Sequence, residues 1–501
     1  MEVNNNCFNK IAISFVLIFT LFFSLTYWPT CNDGPRGIHQ WAQADRLAVC
    51  LRYIDGKSLN DPATLSFKTP DGNVGVEFSG YQYLLAQIVR AGYPEQWLPL
   101  LFKCLTFFIF YTSIFVLTFE ILKFENIGYR ICILIGLMSS PLLVYYGYNF
   151  LPDILALSLM LWCFYLYHKN LEQHIYWIII IAGLAMFIKT SSGIYLMSFY
   201  GVFFLKNILK INWKFLMVTS LFLAIILSIA YYDYYWVNQR NMELYSVVFL
   251  SSPIPVTSWD QLLTIFDVAK RFRYDYFNGS QQVVIITLCF LGLSQIKKWN
   301  FRNQDFLLSG LVTLGIFCII LLFGIQYMNH DYYFIGNFMP ILLFLSLRSI
   351  AYFTPYIQPR TGLFLAILFA TISFSQGNSR YFQRMAEVVT INGNPEPYPF
   401  RWLEHSKDKI TPFVNSNELI YVVYVPEPNH ALVYLRRNGA TFNEEEMSRE
   451  QSPFNYYLEI QKTKYVMCKK DKIQQFRQDQ PQFFESAHIL FDDKEFILFS
   501  L

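Results

Sequence analysis

The chain has 501 residues, 54% of them hydrophobic and 15% charged, well below the roughly 25% charged of ordinary soluble domains; the deficit points to a membrane. Thirty-nine Lys and Arg against 36 Asp and Glu leave a formal charge of +3, too balanced for a nucleic-acid partner, which needs a concentrated basic surface. Nine cysteines form no CxxC pair and no His/Cys cluster of metal-ligand spacing, so zinc-ribbon and thioredoxin-like readings have no support.

The first apolar stretch, Ile11 to Trp28, follows Lys10. Trp28-Pro29-Thr30 ahead of Cys31 lacks the small-residue pattern of a cleavage site, so the stretch reads as a retained transmembrane helix. Further apolar runs lie near 97–118, 129–147, 152–167, 175–189, 191–206, 214–232, 281–296, 305–327, 333–350 and 360–376. Since about 20 residues span a bilayer, the chain is expected to make about eleven crossings.

With the N-terminus in the cytoplasm, Lys123, Arg130, Lys169, Lys206, Lys210, Lys214, Lys297, Lys298, Arg302, Arg348 and Arg360 fall on the cytoplasmic side, as the positive-inside rule asks. The same topology makes three segments external: 29 to about 96, about 234 to 280, and everything after about 374. The expected fold is an α-helical polytopic membrane domain over 1–376, followed by a small extracytoplasmic α/β domain over 377–501. In that second part, short β-rich runs at 419–425, 431–435, 465–468 and 495–501 alternate with helical patterns at 401–409 and 444–462. No nucleophile elbow, HExxH, P-loop or Rossmann glycine pattern occurs there.

The first external loop is rich in functional side chains, reading GIHQWAQADRLAVCLRY and then GVEFSGYQYLLAQIV. Asp45 lies on a helical pattern in which Trp41, Leu47, Ala48 and Leu51 are the apolar contacts along the membrane surface. A carboxylate held there can accept a proton. Glu77 is a second carboxylate, suited to orienting an acceptor or helping to bind a divalent metal. Cys31 and Cys50 fall in this loop and could pair in an oxidising compartment.

Farther on, Asn149-Phe150-Leu151-Pro152-Asp153 opens one helix, Gly183-Leu184-Ala185-x-x-x-Lys189 closes the next, and His330-Asp331-Tyr332-Tyr333 precedes the tenth. All three map to external helix ends. Lys189 breaks the positive-inside pattern, and an ionisable group at an apolar helix end marks either a site or a snorkelling lysine. Asp153 suits a helix start beside Pro152 as well as a site. The stretch Trp259 to Arg273 mixes apolar helical spacing with Lys270, Arg271 and Arg273, the pattern of an interfacial helix on anionic lipid.

His39-Gln40-Trp41-x-Gln43-x-Asp45, followed by Gly75-x-Glu77-Phe78-x-x-Tyr81, resembles the first periplasmic loop of bacterial GT-C glycosyltransferases. These are the family-39-like relatives of protein O-mannosyltransferases and of the aminoarabinose transferase that modifies lipid A. The later motifs and the soluble C-terminal part extend the resemblance over essentially the whole chain. Two positions depart from the pattern: Arg46 follows Asp45 where the family has Glu, and Ala42 stands where similar members carry Arg.

The resemblance implies an inner-membrane enzyme that moves a sugar from a polyprenyl phosphate to an acceptor hydroxyl, with inversion. Asp45 would be the catalytic base. Glu77, Lys189, Asp153, His39, Gln43, His330, Tyr332, Arg271 and Arg273 would bind donor or acceptor. A flippase or transporter of a lipid-linked or polar solute is the rival reading, and an inactive relative serving as a scaffold is the third. Transporters gather charges near the bilayer midplane and repeat their halves, whereas here the polar groups gather at external helix ends and no second half mirrors the first.

Overall fold

The computed structural model describes residues 5–208, 210, 212–240, 243, 254–294, 303–328, 330–391, 394–397 and 401–501. They divide into two compact units, Met1–Cys31 with Phe102–Trp236 and Ser251–Gln383, and Asn32–Leu101 with Val237–Leu250 and Arg384–Leu501.

The first unit is helical. Six helices among the described residues are long and apolar enough to cross a membrane. The pair Ile127–Met138 and Pro141–Gly147 is apolar enough when taken together, but is bent by 82°, the geometry of a broken span or of a re-entrant loop. Pro141 cannot continue the preceding helix and instead starts the next one. At that bend the backbone of Gly377 packs so closely that a Cβ there would sit 2.3 Å from the Ser139 carbonyl oxygen.

The 36-residue helix Asp153–Ile188 is broken at Asn170, whose φ of −172° and ψ of 111° are extended. Cys163 Sγ reaches the Ile178 carbonyl at 3.8 Å, although a straight helix would hold them about 22 Å apart. The arms therefore fold back on each other. The apolar runs expected to begin near 191, 281 and 333 fall on helices of only 15 or 16 residues, Gly193–Ile208, Gly279–Ser294 and Met339–Phe353, which are not among the spans long enough to cross. The chain is an integral multi-pass membrane protein. Lys297, Lys298 and Arg302, used in the charge argument, lie outside the described residues. The Asn278-Gly279-Ser280 triplet serves packing: the buried Asn278 amide donates to the Ser139 and Ser373 carbonyls at 3.1 and 3.2 Å.

The second unit is α/β. Strands β1 (Glu387–Ile391) and β2 (Asn394–Pro397) form an antiparallel pair. Strands β3 (Ile420–Val423), β4 (Gly439–Phe442), β5 (Tyr465–Lys469), β6 (His488–Asp492) and β7 (Phe496–Ser500) form a mixed sheet of order β4-β3-β5-β7-β6. β3 is parallel to both of its neighbours and all four of its residues are buried, as an interior parallel strand requires.

The run 431–435, expected as a strand, is instead the helix His430–Leu435. A five-residue apolar run has no readable period, and burial decides it. The helical pattern 444–462 splits into Glu444–Ser448 and Pro453–Gln461, because Pro453 starts a new helix rather than extending the old one. The last long helix, Pro359–Ala386, runs past the expected boundary at 376.

Residues 32–101 belong to this same unit. They form the helices Gln40–Ile54 and Gly80–Arg90, and residues 65–67 extend the sheet beyond β4: Gly439 N donates to Leu65 O at 3.1 Å and Phe67 N to Gly439 O at 2.6 Å. Cys50 is a buried thiol that donates to Gln82 O, and Cys31 is free as well.

At Gly439 the β3 backbone is so close that a Cβ would lie 1.7 Å from Ile420 O. Gly439→Ala is therefore expected to destabilise the unit by about 1–3 kcal/mol or more, the range for forced overpacking. A thermal melt of the detergent-purified chain, followed by tryptophan fluorescence, checks this.

Candidate active site

Asp45 lies in the second turn of Gln40–Ile54 and is 9% exposed. Its Oδ1 accepts a hydrogen bond from Asn429 Nδ2 at 2.8 Å. The Asn429 carbonyl oxygen accepts from Ser66 N at 3.1 Å, which orients the amide so that its NH2 faces the carboxylate. Burial pushes the Asp45 carboxyl up to about 6, against the pull of the Asn429 hydrogen bond and the Arg46 charge. A base with its midpoint so close to neutrality is mostly ionised at pH 7 yet a stronger proton acceptor than an exposed aspartate.

The surrounding scaffold holds this helix at both ends. His39, just before it, is left-handed at φ 57° and ψ 33°, a conformation costly for a non-glycine residue and one that tends to mark functional turns. Gln43 donates its amide to the carbonyls of Arg36 and Ile38 at 3.0 and 3.1 Å, tying the turn before the helix. At the other end Arg436 binds Asp55 and Glu95, each at 2.7 Å, and Arg52 binds Asp71 at 3.0 Å.

Glu77 forms an ion pair with Arg46, and both side chains are largely buried. Arg46, the neighbour of Asp45 in sequence, thus supplies the partner of the loop's second carboxylate. The carboxyl that couples to Asp45 from elsewhere is Glu427. Burial raises it to about 7, against a hydrogen bond from the Gln40 side chain, and the Asp45 charge adds a smaller rise. Sequence reasoning missed Glu427 and Asn429. The available signal was the loop Pro426-Glu427-Pro428-Asn429, which follows β3 at the carboxyl end of a parallel strand, where α/β sheets place their ligands. His430, next in line, is fully buried, donates from Nε2 to the Pro35 carbonyl oxygen at 3.2 Å, and is held down to about 4 by burial.

The helical unit gathers a second group. Lys189 Nζ lies 3.2 Å from Asp153 Oδ1, with the lysine 8% and the aspartate 1% exposed. The lysine is buried rather than snorkelling. Its ammonium sits over the rings of Tyr333 at 4.5 Å and Tyr332 at 5.3 Å, favourable cation–π placements. Tyr146 donates to Asp331 Oδ1 at 2.6 Å, and the His330 ring packs against Tyr332 and Tyr333. Three motifs far apart in sequence thus converge in one cluster.

Arg271 and Arg273 stay apart from it. Arg271 is exposed and pairs with Asp267 one turn earlier, while Arg273 covers the Tyr274 ring. The helix that ends at Arg271, Trp259–Arg271, buries Leu262 and Ile265 and exposes Trp259, Leu263 and Phe266, and Arg273 opens the next short helix, Arg273–Tyr276. Among the described residues no three His, Cys, Asp or Glu side chains converge as a metal-binding set.

Removing one partner of a buried ion pair leaves an uncompensated charge, which costs about 3–5 kcal/mol. Asp153→Ala is expected to lose that much, and the double variant Asp153→Ala/Lys189→Met to recover most of it. Paired thermal melts of the purified variants read the difference.

No family model matches the chain, and no curated protein matches it. Among solved structures it is similar to ArnT from Cupriavidus metallidurans in the apo state, with a TM-score of 0.56 and 9% identity over 100% of this chain and 98% of that one. The structure of the same protein bound to undecaprenyl phosphate matches with the same score, identity and coverage. The arabinofuranosyltransferase AftD from Mycobacteria is similar at a TM-score of 0.43 and 12% identity, over 92% of this chain and 36% of that one. The chain shares its fold with ArnT along its whole length.

Proposed function

We propose that this protein is a glycosyltransferase that takes a sugar from a polyprenyl phosphate and passes it to an acceptor hydroxyl on the extracytoplasmic face of a bacterial inner membrane. The observation that carries the reading is Asp45: a buried carboxylate, held by one amide, with its midpoint near 6. The fold shared with a structure that binds undecaprenyl phosphate supports the donor class.

In this reading the acceptor O–H gives its proton to Asp45 and the oxygen attacks the anomeric carbon on the face opposite the phosphate. The C–O bond to phosphate breaks with its electron pair going to the phosphate, so the configuration inverts. Lys189, with Tyr332 and Tyr333 beneath its ammonium, is the cation of the helical unit suited to the departing phosphate. Asp153 holds it in place. Arg271, at the end of an exposed amphipathic helix, and Arg273, at the start of the next, attract anionic lipid to the surface. Glu77 acts through Arg46 to fix the Asp45 helix, and Gln43 and His39 shape the turn before it. The N-terminus is cytoplasmic and the C-terminal domain periplasmic.

Asp45→Asn is expected to lower transfer of radiolabelled sugar from undecaprenyl-phosphate donors by about 10²- to 10⁴-fold, the usual contribution of a general base. Full transfer by a folded Asp45→Asn variant would sink the assignment. Label that crosses the bilayer on its lipid without release would support a flippase instead. Because the base must be ionised, the wild-type rate should fall as pH drops through about 6. Asn429 lowers the Asp45 midpoint, so Asn429→Leu should move this acidic limb to higher pH. A pH–rate profile measured under single-turnover conditions decides it.

A further inference from the structure

The end of the helical unit remote from Lys189 holds a polar cavity that the proposed reaction does not use. The arm that begins at Asp153 reaches His168 about 22 Å away, at 1.5 Å per residue. There it meets the start of Gln304–Tyr327 and, through Arg348, the helix Met339–Phe353. Tyr167, His168, Asn303, Gln304, Asp305 and Arg348 line a cavity of about 300 Å³, the lower end of the range for small-molecule sites.

The hydrogen bonds inside this cavity leave a surplus of donors. Asp305 is satisfied: its Oδ1 accepts from Tyr167 at 3.0 Å, and its Oδ2 accepts from Arg348 Nε and Nη2 at 3.1 and 2.9 Å. Arg348 Nη1 donates to His168 Nδ1 at 3.5 Å, which puts the proton of a neutral imidazole on Nε2, where it can be donated. Those three contacts leave two of the five guanidinium N–H groups uncommitted among the described residues. Asn303 uses its Oδ1 to accept from Asp305 N at 2.9 Å, so its NH2 is on offer as well.

Beyond His168 the charge has the same sign. Glu120 holds both Lys123 and Lys169, at 3.1 and 2.8 Å, and Glu172 holds both Lys206 and Lys210, at 3.0 and 2.7 Å. Each carboxylate is outnumbered by its cations.

We propose that this cavity binds a phosphate ester. Donors on Arg348, His168 and Asn303 come from three separate stretches of chain, which suits an anion whose oxygens point several ways; a phosphate has them and a planar carboxylate does not. A bare phosphate, comparable to a few waters at about 30 Å³ each, would leave most of the cavity empty, whereas an ester with a small organic group would fill it. Such an ester is offered either by the headgroup of an anionic lipid or by a soluble metabolite. Gln304–Gly324 is among the helices long and apolar enough to cross a membrane, and the cavity lies at its start, the level at which headgroups are found. The site is independent of Asp45 and of the transferase reading.

The test uses the full chain in phosphatidylcholine nanodiscs. Calorimetric titration with glycerol 3-phosphate reads the soluble source, and native mass spectrometry of added phosphatidic acid retained by the chain reads the lipid source. Wild type should bind at least one of the two probes, at one per chain. The double variant Arg348→Gln/Asp305→Asn removes both charges together, so that neither is left alone, and should weaken that binding by about tenfold or more, the loss expected for hydrogen bonds to a charged group. His168→Leu leaves the ion pair in place and should weaken it by about threefold or more. Lys123→Gln, at the same end but outside the cavity, should change it by less than about twofold, as for an exposed charge.

Retention of phosphatidic acid alone identifies a lipid headgroup, and binding of glycerol 3-phosphate shows that the ester itself is sufficient; either result upholds the site. Failure of wild type to bind both probes overturns it, as does wild-type affinity in the double variant. An equal loss in Lys123→Gln overturns it too, because the affinity would then belong to the general positive field of the helix ends. Should the double variant not fold, His168→Leu decides alone, and wild-type affinity there sinks the proposal.

Discussion

Asp45 is buried to nine-tenths, and a carboxylate can stay charged in such a place only if something fixed and polar replaces the water it has lost. Here the replacement is the Asn429 amide, 384 residues away along the chain. That hydrogen bond requires the loop after β3 to lie against the helix Gln40–Ile54, and much of the second unit serves this requirement. Ser66 orients Asn429, residues 65–67 extend the sheet at Gly439, and Arg436 pins the far end of the helix through Asp55 and Glu95. The long loop and the C-terminal segment are therefore one folded body. Neither is an appendage of the other.

The helical unit obeys the same rule in a harsher medium. Among apolar helices a lone charge is expensive, so ionisable groups occur in partnership. Lys189 is paired with Asp153 and covered by two tyrosine rings, and Asp331 accepts from Tyr146. A pair of opposite charges packed under aromatic rings keeps a cation available in a dry setting without leaving it uncompensated. The exposed Arg271–Asp267 pair is a different kind of feature: one helical turn on an accessible surface, worth a fraction of a kcal/mol at most, roughly 0.3–0.5 for such pairs.

Within the α/β unit, burial raises the carboxyls of Asp45 and Glu427 towards neutrality. Arg46, next to Asp45 in sequence, pairs with Glu77, and the carboxyl that feels the Asp45 charge, Glu427, comes from the opposite end of the chain.

Composition and hydropathy by themselves determined the membrane class and the positions of the helices, because about 20 consecutive apolar residues have few other uses. Against about eleven expected crossings, six helices among the described residues are long and apolar enough to span a membrane, or seven with the bent pair, and Asp153–Ile188 is broken at Asn170. The loop motif singled out Asp45 because a helical pattern bearing a carboxylate can be read from nearest neighbours. Tertiary structure alone decided the rest. His430–Leu435 became a helix because a short buried run has no period to read. Glu427, Gln40 and Asn429 acquired meaning only when β3 carried its loop to the Asp45 helix, and Lys189 found Asp153 only when the two arms folded together. Pairings across tens or hundreds of residues leave no local periodicity, so no window on the sequence could have held both partners.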